Sequence, residues 1–148
     1  MSNDASVRWD LLQFDYHRKL QAFVRELNRI YRTYRPLFEV DHHWTGFEWV
    51  DFHDADHSII AFLRRAEDPS DFLLVCCNFT PVPRTGYEFG VPEAGYYQEL
   101  LNSDSEYFGG SNMGNAGGVV SRPLARHGRP HSIAVTLPPL AVVVFRKE

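Results

Sequence analysis

Cysteine is scarce in this chain of 148 residues, which contains only Cys76 and Cys77. The two are adjacent in an apolar run that is typical of a strand, and neighbouring strand residues point to opposite faces. A disulfide between them is therefore disfavoured, and the sequence has no C-x-x-C motif. These absences argue against a disulfide-stapled secreted scaffold and against dithiol redox chemistry, and they favour a reducing compartment.

Long apolar runs are also missing. No stretch approaches the roughly 18 apolar residues that a membrane-spanning helix needs. Residues 1–5 are polar and lack the charged-then-apolar layout of a secretory signal. We therefore predict a cytoplasmic protein that does not associate with a membrane.

A strong excess of positive charge is absent, because the formal net charge is -4. Residues 1–35 hold seven Lys/Arg against four Asp/Glu, which leaves -7 for the remainder. A basic arm for nucleic acid is one interpretation, and a basic helix lying against an acidic body is the other. The second is favoured because the basic residues alternate with apolar positions, so no nucleic-acid partner is predicted.

One helical pattern is present near the N-terminus. Apolar residues recur at helical spacing, at positions Leu20, Phe23, Val24, Leu27, Ile30, Tyr31 and Tyr34. The spacing predicts an amphipathic helix over residues 16–34 that stops before Pro36. Its apolar stripe is wider than a lone surface helix needs, which indicates that it packs against a further surface.

After Pro36 the helical period gives way to short apolar or aromatic runs separated by turn residues. The runs predict strands over residues 47–52, 58–65, 72–78, 87–90, 95–101, 119–121, 132–137 and 140–146. Strands of this number and spacing predict a mainly β fold, an antiparallel β-sandwich preceded by one long α-helix. The third strand should end at residues 78–84, since Pro81 and Pro83 have no N–H group to continue a ladder.

Two clusters contain residue types that carry chemistry. Residues 53–57 hold two histidines and two aspartates, which can ligate a metal, but the sequence places no third ligand and these are also ordinary turn residues. Paired carboxylates can serve glycoside hydrolysis, and the candidates here are Glu48, Asp51, Asp54 and Asp56. Acidic residues on an exposed hairpin are, however, more often ordinary surface residues than catalytic ones. We predict no metal site, no cofactor and no catalytic residue.

The aromatic residues suggest a different kind of site. Trp44 and Trp49 flank Gly46 at the start of the first predicted strand. Aromatic side chains of a sheet usually belong to its core, but an exposed ring offers a flat apolar surface on which a sugar can stack. Trp49 and Trp44 are therefore the candidate substrate-binding residues of this chain.

Several segments, taken together, resemble bacterial 1,4-α-glucan (glycogen) branching enzymes of the α-amylase superfamily. Residues 24–32 resemble the last helix of that family's catalytic domain. The segments that resemble its C-terminal domain are residues 46–49, 78–84, 100–104, 107–112, 127–132 and 136–141. The resemblance runs from about Trp9 to Arg146.

The resemblance implies that residues 1–36 are the end of a catalytic (β/α)₈ barrel and that residues 37–148 are the C-terminal β-sandwich. The family moves an α-1,4-linked glucan segment to a 6-hydroxyl group, using Asp and Glu residues of barrel motifs that this sequence does not contain. It marks Trp49 as a surface glucan contact. The implied partners are α-glucan and the barrel, and an uncovered helix 16–34 would favour self-association. A purely structural sandwich and a stand-alone carbohydrate-binding module are the alternatives, and the attached helix argues against the module.

Overall fold

The predicted helix and strands all form in the computed structural model, which describes residues 6–148. The prediction that residues 1–5 are not part of a signal sequence concerns residues outside this range. Within that range there is one α-helix, α1 (Asp15–Thr33). The strands are β1 (Phe47–Asp51), β2 (Ile59–Arg65), β3 (Phe72–Asn78), β4 (Arg84–Val91), β5 (Tyr96–Asn102), β6 (Gly118–Val120), β7 (His131–Leu137) and β8 (Ala141–Lys147). The mainly β prediction is confirmed.

The strands form two antiparallel sheets that pack face to face. The larger sheet has the order β1-β2-β3-β8-β5-β6, and the smaller one pairs β4 with β7. Alternate residues of each strand point between the sheets, as the period of two requires. The core they form contains Ile59, Ala61, Leu63, Phe72, Leu74, Cys76, Phe89, Val91, Tyr97, Ile133, Val135, Leu137, Val143 and Phe145.

Helix α1 packs on the outer face of the larger sheet. Ile30 is buried there against Leu73, Leu101 and Val144. The Phe23 ring packs edge-on against the ring of Phe108, which lies between β5 and β6, with 5.1 Å between the ring centroids. The helix ends before Pro36 as predicted, and both of its ends lie one residue from the predicted ones. No helix within residues 6–148 is long and apolar enough to cross a membrane.

A second apolar stripe of α1 is not buried against the sheet. Its members are largely exposed: Tyr16, Leu20, Val24, Leu27 and Tyr31. They are spaced three or four residues apart and so lie along one side of the helix. The sheet therefore uses only part of the apolar surface of α1, and the rest is available to another surface. We call these five residues the outer stripe.

The exit of β3 is held by one buried amide. The Asn78 side chain is 1% exposed and its Nδ2 donates to the carbonyl oxygens of Val82 and Pro138, each at 2.9 Å. Its Oδ1 accepts from the N–H and hydroxyl groups of Thr80 at 3.0 and 2.8 Å. The strand ends where the prolines predicted, and Asn78 ties the segment that follows to the loop between β7 and β8.

Candidate functional site

An aromatic patch covers the outer face of the larger sheet at its β1 edge. Its members are Phe47, Trp49, Phe52 and Phe62, and we use the term aromatic patch for these four. Phe47 and Trp49 alternate with inward-facing residues of β1, and Trp49 lies opposite Phe62 on β2. The Trp49 ring meets the Phe47 ring edge-on at 4.8 Å and lies 5.9 Å from the Phe62 ring. These contacts hold the indole in place beside its neighbours.

Both tryptophans singled out from the sequence lie at the surface. Trp49 is 45% exposed and Trp44 is 80% exposed, so neither belongs to the core. Trp44 lies in the short turn before β1, where its ring centroid is 5.5 Å from that of His43. The structure thus joins Trp49 to a set of aromatic rings and places Trp44 on the turn that leads into the same strand.

The patch continues into a groove beneath α1. The groove has a volume of about 560 Å³, and Phe62 belongs to both surfaces. Tyr31 and Leu27 of the helix form one wall, and Val75 and Val142 of the sheet form the floor. Asp41 and Arg64 form an ion pair of 2.7 Å at its margin. Apolar surface therefore extends from the sheet edge to the outer stripe.

The opposite side of β1 carries a charged network. Glu48 accepts from Arg65 at 2.8 and 3.0 Å and also from Arg129. Burial would raise the pKa of Glu48, but the hydrogen bond from Arg65 and the charge of Arg129 outweigh it, so the pKa lies below its ordinary value. The two arginines thus hold the Glu48 carboxylate in place beside β1.

Two further carboxylates, those of Asp51 and Asp54, are engaged by a tyrosine. The Tyr87 hydroxyl donates to Asp54 Oδ2 at 2.6 Å and lies 3.1 Å from Asp51 Oδ2. The hydrogen bond from Tyr87 lowers the pKa of Asp54, while burial and that same bond raise the pKa of Tyr87. His57 Nδ1 is 2.8 Å from the Asp54 carboxylate. Among residues 6–148 no group of three or more His, Cys, Asp or Glu side chains is arranged to hold a metal ion.

Sequence reasoning missed one residue of the site, Arg129. Its side chain is 10% exposed and donates to the backbone oxygen of Trp49 at 3.2 Å, across 80 positions of sequence. The available signal was the His127-Gly128 pair, because glycine at the tip of a two-residue turn marks a hairpin. That signal indicates the turn but does not say which strand Arg129 meets.

Comparison with known proteins accounts for almost the whole chain. A sequence model of the family described as alpha amylase, C-terminal all-beta domain, matches residues 49–148. A 1,4-alpha-glucan branching enzyme GlgB of Saccharophagus degradans is 50% identical over 99% of this chain and 20% of its own length. Proteins of the same name from Aquifex aeolicus and Trichormus variabilis are each 45% identical, over 99% and 97% of this chain. The chain spans about a fifth of the length of these relatives.

Proposed function

Because the chain belongs to the α-amylase C-terminal all-β domain family, we propose that it is the C-terminal region of a cytoplasmic 1,4-α-glucan branching enzyme. The parent enzyme cuts an α-1,4 linkage and rejoins the freed segment as an α-1,6 branch. Residues 1–36 end the catalytic barrel, and residues 37–148 form the domain that follows it. The chain contributes no catalytic residue to this reaction. Its own roles are to contact α-glucan and to support the barrel.

The exposure of Trp49 within the aromatic patch is the observation that carries the glucan role. An indole ring presents an apolar face to the apolar face of a glucose unit, while the sugar hydroxyl groups remain in water. A ring that served only the core would be buried, and Trp49 is 45% exposed. Phe47 and Phe62 keep the ring from moving freely, so little ordering is needed when a sugar stacks on it.

Substitution of Trp49 tests this role. We expect Trp49→Ala to weaken the binding of maltoheptaose about tenfold, which corresponds to ~1.4 kcal/mol, since the stacking surface is removed. Calorimetry with maltoheptaose, or retardation of the chain in a native gel that contains glycogen, measures the change. Trp44→Ala should have a smaller effect, because Trp44 lies outside the patch.

The matched control is Trp9→Ala. Trp9 is 66% exposed and lies in the turn before α1, away from the sheet edge, so its removal should leave the affinity unchanged. If Trp49→Ala folds and binds maltoheptaose as tightly as the unaltered chain, the domain is purely structural at this position. Equal losses for Trp9→Ala and Trp49→Ala would point to nonspecific adsorption.

The support role rests on the outer stripe. Five large apolar side chains along one side of a helix form a continuous patch of the kind that marks an interface. Beside Val24 the surface turns polar and basic, with Arg25, Asn28 and Arg32 around it. An apolar centre with a basic margin fits a partner that is apolar in the middle and acidic around it. We assign this partner to the catalytic portion of the same enzyme.

Without that portion the chain should associate with itself. We expect light scattering to show a dimer or a larger species that the double variant Leu20→Gln/Val24→Gln converts to a monomer. The thermal midpoint should change little, because both side chains are already exposed. Leu140→Gln is the control, since Leu140 is as exposed but lies in the turn before β8. A monomeric unaltered chain at high concentration would contradict the prediction.

A further inference from the structure

Strand β1, which carries Trp49, is the outermost strand of the larger sheet. Among residues 6–148 it pairs with β2 only, and the register of the two strands shifts between Trp49 and Asp51. An edge strand with an irregular ladder is held less firmly than a central one, because one side of its backbone has no strand partner. The direction of the Trp49 ring therefore depends on what else fixes the backbone at this position.

Arg129 supplies that contact. One nitrogen of its guanidinium group, Nη2, donates both to the Trp49 carbonyl oxygen at 3.2 Å and to Glu48 Oε1. A second nitrogen, Nη1, donates to the carbonyl oxygen of His127 at 3.2 Å. One planar group thus ties two successive residues of β1 to a distant turn, and its bond to the Glu48 carboxylate is strengthened by the opposite charges of the two groups.

The turn that presents Arg129 is itself rigid. Arg126 and Arg129 exchange backbone hydrogen bonds of 3.1 and 2.8 Å. The two residues between them, His127 and Gly128, have φ values of 48° and 71°, as a tight two-residue hairpin of the primed type requires. The turn is docked on β4, because the N–H group of Gly90 donates to His127 Nδ1 at 3.1 Å.

We propose that Arg129 is a positioning residue for the glucan contact of Trp49: it fixes the backbone of the edge strand so that the indole face is held ready for the sugar. This inference rests on the proposed glucan role of Trp49. Arg129 does not touch the sugar itself; it acts through the Trp49 carbonyl group and the Glu48 carboxylate. Losing it should therefore weaken glucan binding only while the indole is present.

A double-mutant cycle with maltoheptaose tests the proposal. Arg129→Gln should lower the affinity about threefold to tenfold, the range that corresponds to the net worth of one hydrogen bond. In the Trp49→Ala background the same change should have no further effect, because there is no ring left to position. The matched control is Arg126→Gln, which removes an arginine of the same turn; within residues 6–148 its side chain pairs with Glu88 of β4 at 2.7 Å and has no hydrogen bond to β1.

Arg129→Lys provides a second arm that keeps the positive charge. A lysine cannot bridge Glu48, the Trp49 carbonyl group and the His127 carbonyl group together. The affinity of the Arg129→Lys variant for maltoheptaose should therefore fall between those of the unaltered chain and the Arg129→Gln variant. This arm decides the matter if Arg129→Gln does not fold. Unaltered affinity in Arg129→Lys, or equal losses with and without Trp49, would overturn the positioning role. Unaltered affinity in Trp49→Ala would instead overturn the proposed glucan site.

Discussion

Replacement of Asn78 by aspartate is expected to lower the free energy of unfolding by about 3–5 kcal/mol at neutral pH. The change keeps the shape of the side chain but replaces the NH₂ group, which donates to the carbonyl oxygens of Val82 and Pro138, with a charged oxygen. Three acceptors then face one another in a site that is 1% exposed. Denaturant-induced unfolding followed by circular dichroism measures the loss.

The loss should depend on pH. When the pH falls from 7 towards 4, the new carboxyl group takes up a proton and regains one donor, so the difference from the unaltered chain should shrink. Asn112→Asp is the control, because Asn112 is exposed and should change the stability by less than about 0.5 kcal/mol. A loss at Asn78 that is the same at both pH values would show that the buried charge is not its cause.

Gly90→Ala is expected to cost about 3 kcal/mol of stability and to weaken maltoheptaose binding as well. A Cβ atom at Gly90 would overlap the backbone oxygen of Arg126 and lie 2.7 Å from the carbonyl carbon of the same residue. Backbone cannot rotate away as a side chain does, so the hairpin turn has to leave β4 and takes Arg129 with it. Thermal unfolding and the maltoheptaose titration measure the two effects.

The control is Gly86→Ala on the same strand. Gly86 has a φ of 67°, and an added Cβ would meet nothing within 4 Å, so only the local backbone strain of roughly 1–2 kcal/mol is expected. Glucan affinity should stay unchanged, because Gly86 does not touch the turn. If both glycine variants lost affinity equally, the docking of the turn on β4 would have no part in holding the site.

The elements of this fold were predictable because each is written in a local pattern. Apolar spacing placed the helix within one residue of α1, and the prolines after Asn78 marked the end of β3. The least accurate strand was β4, predicted over residues 87–90 and observed as Arg84–Val91. Its first residues are glycine-containing and polar, and they join the sheet only through an irregular pairing with β7. A local sequence pattern does not predict such an irregular pairing between strands.

For the candidate site, sequence supplied the residue types and tertiary structure supplied the partners. Trp49 was recognisable as a tryptophan next to a strand start, and the family resemblance added the surface role. That its ring is partly exposed depends on β1 becoming the edge of the larger sheet, a matter of strand order. The contact between Arg129 and Trp49 could not be predicted, because it spans 80 residues of sequence and many other arginine–carbonyl pairings fit the same sequence.

The sequence by itself thus determined the helix, the strands, the stiff exit after Asn78 and the family. Periodicity, proline and turn residues act between neighbours in the chain, so their effects need no knowledge of the fold. Only the tertiary structure decided that β8 lies between β3 and β5, and which side of α1 the sheet leaves uncovered. It also decided that the Arg129 side chain donates to the carbonyl oxygen of Trp49. Those outcomes depend on strand order and on packing between distant segments. Each segment alone is compatible with several arrangements, and only the packing of the whole chain determines which one forms.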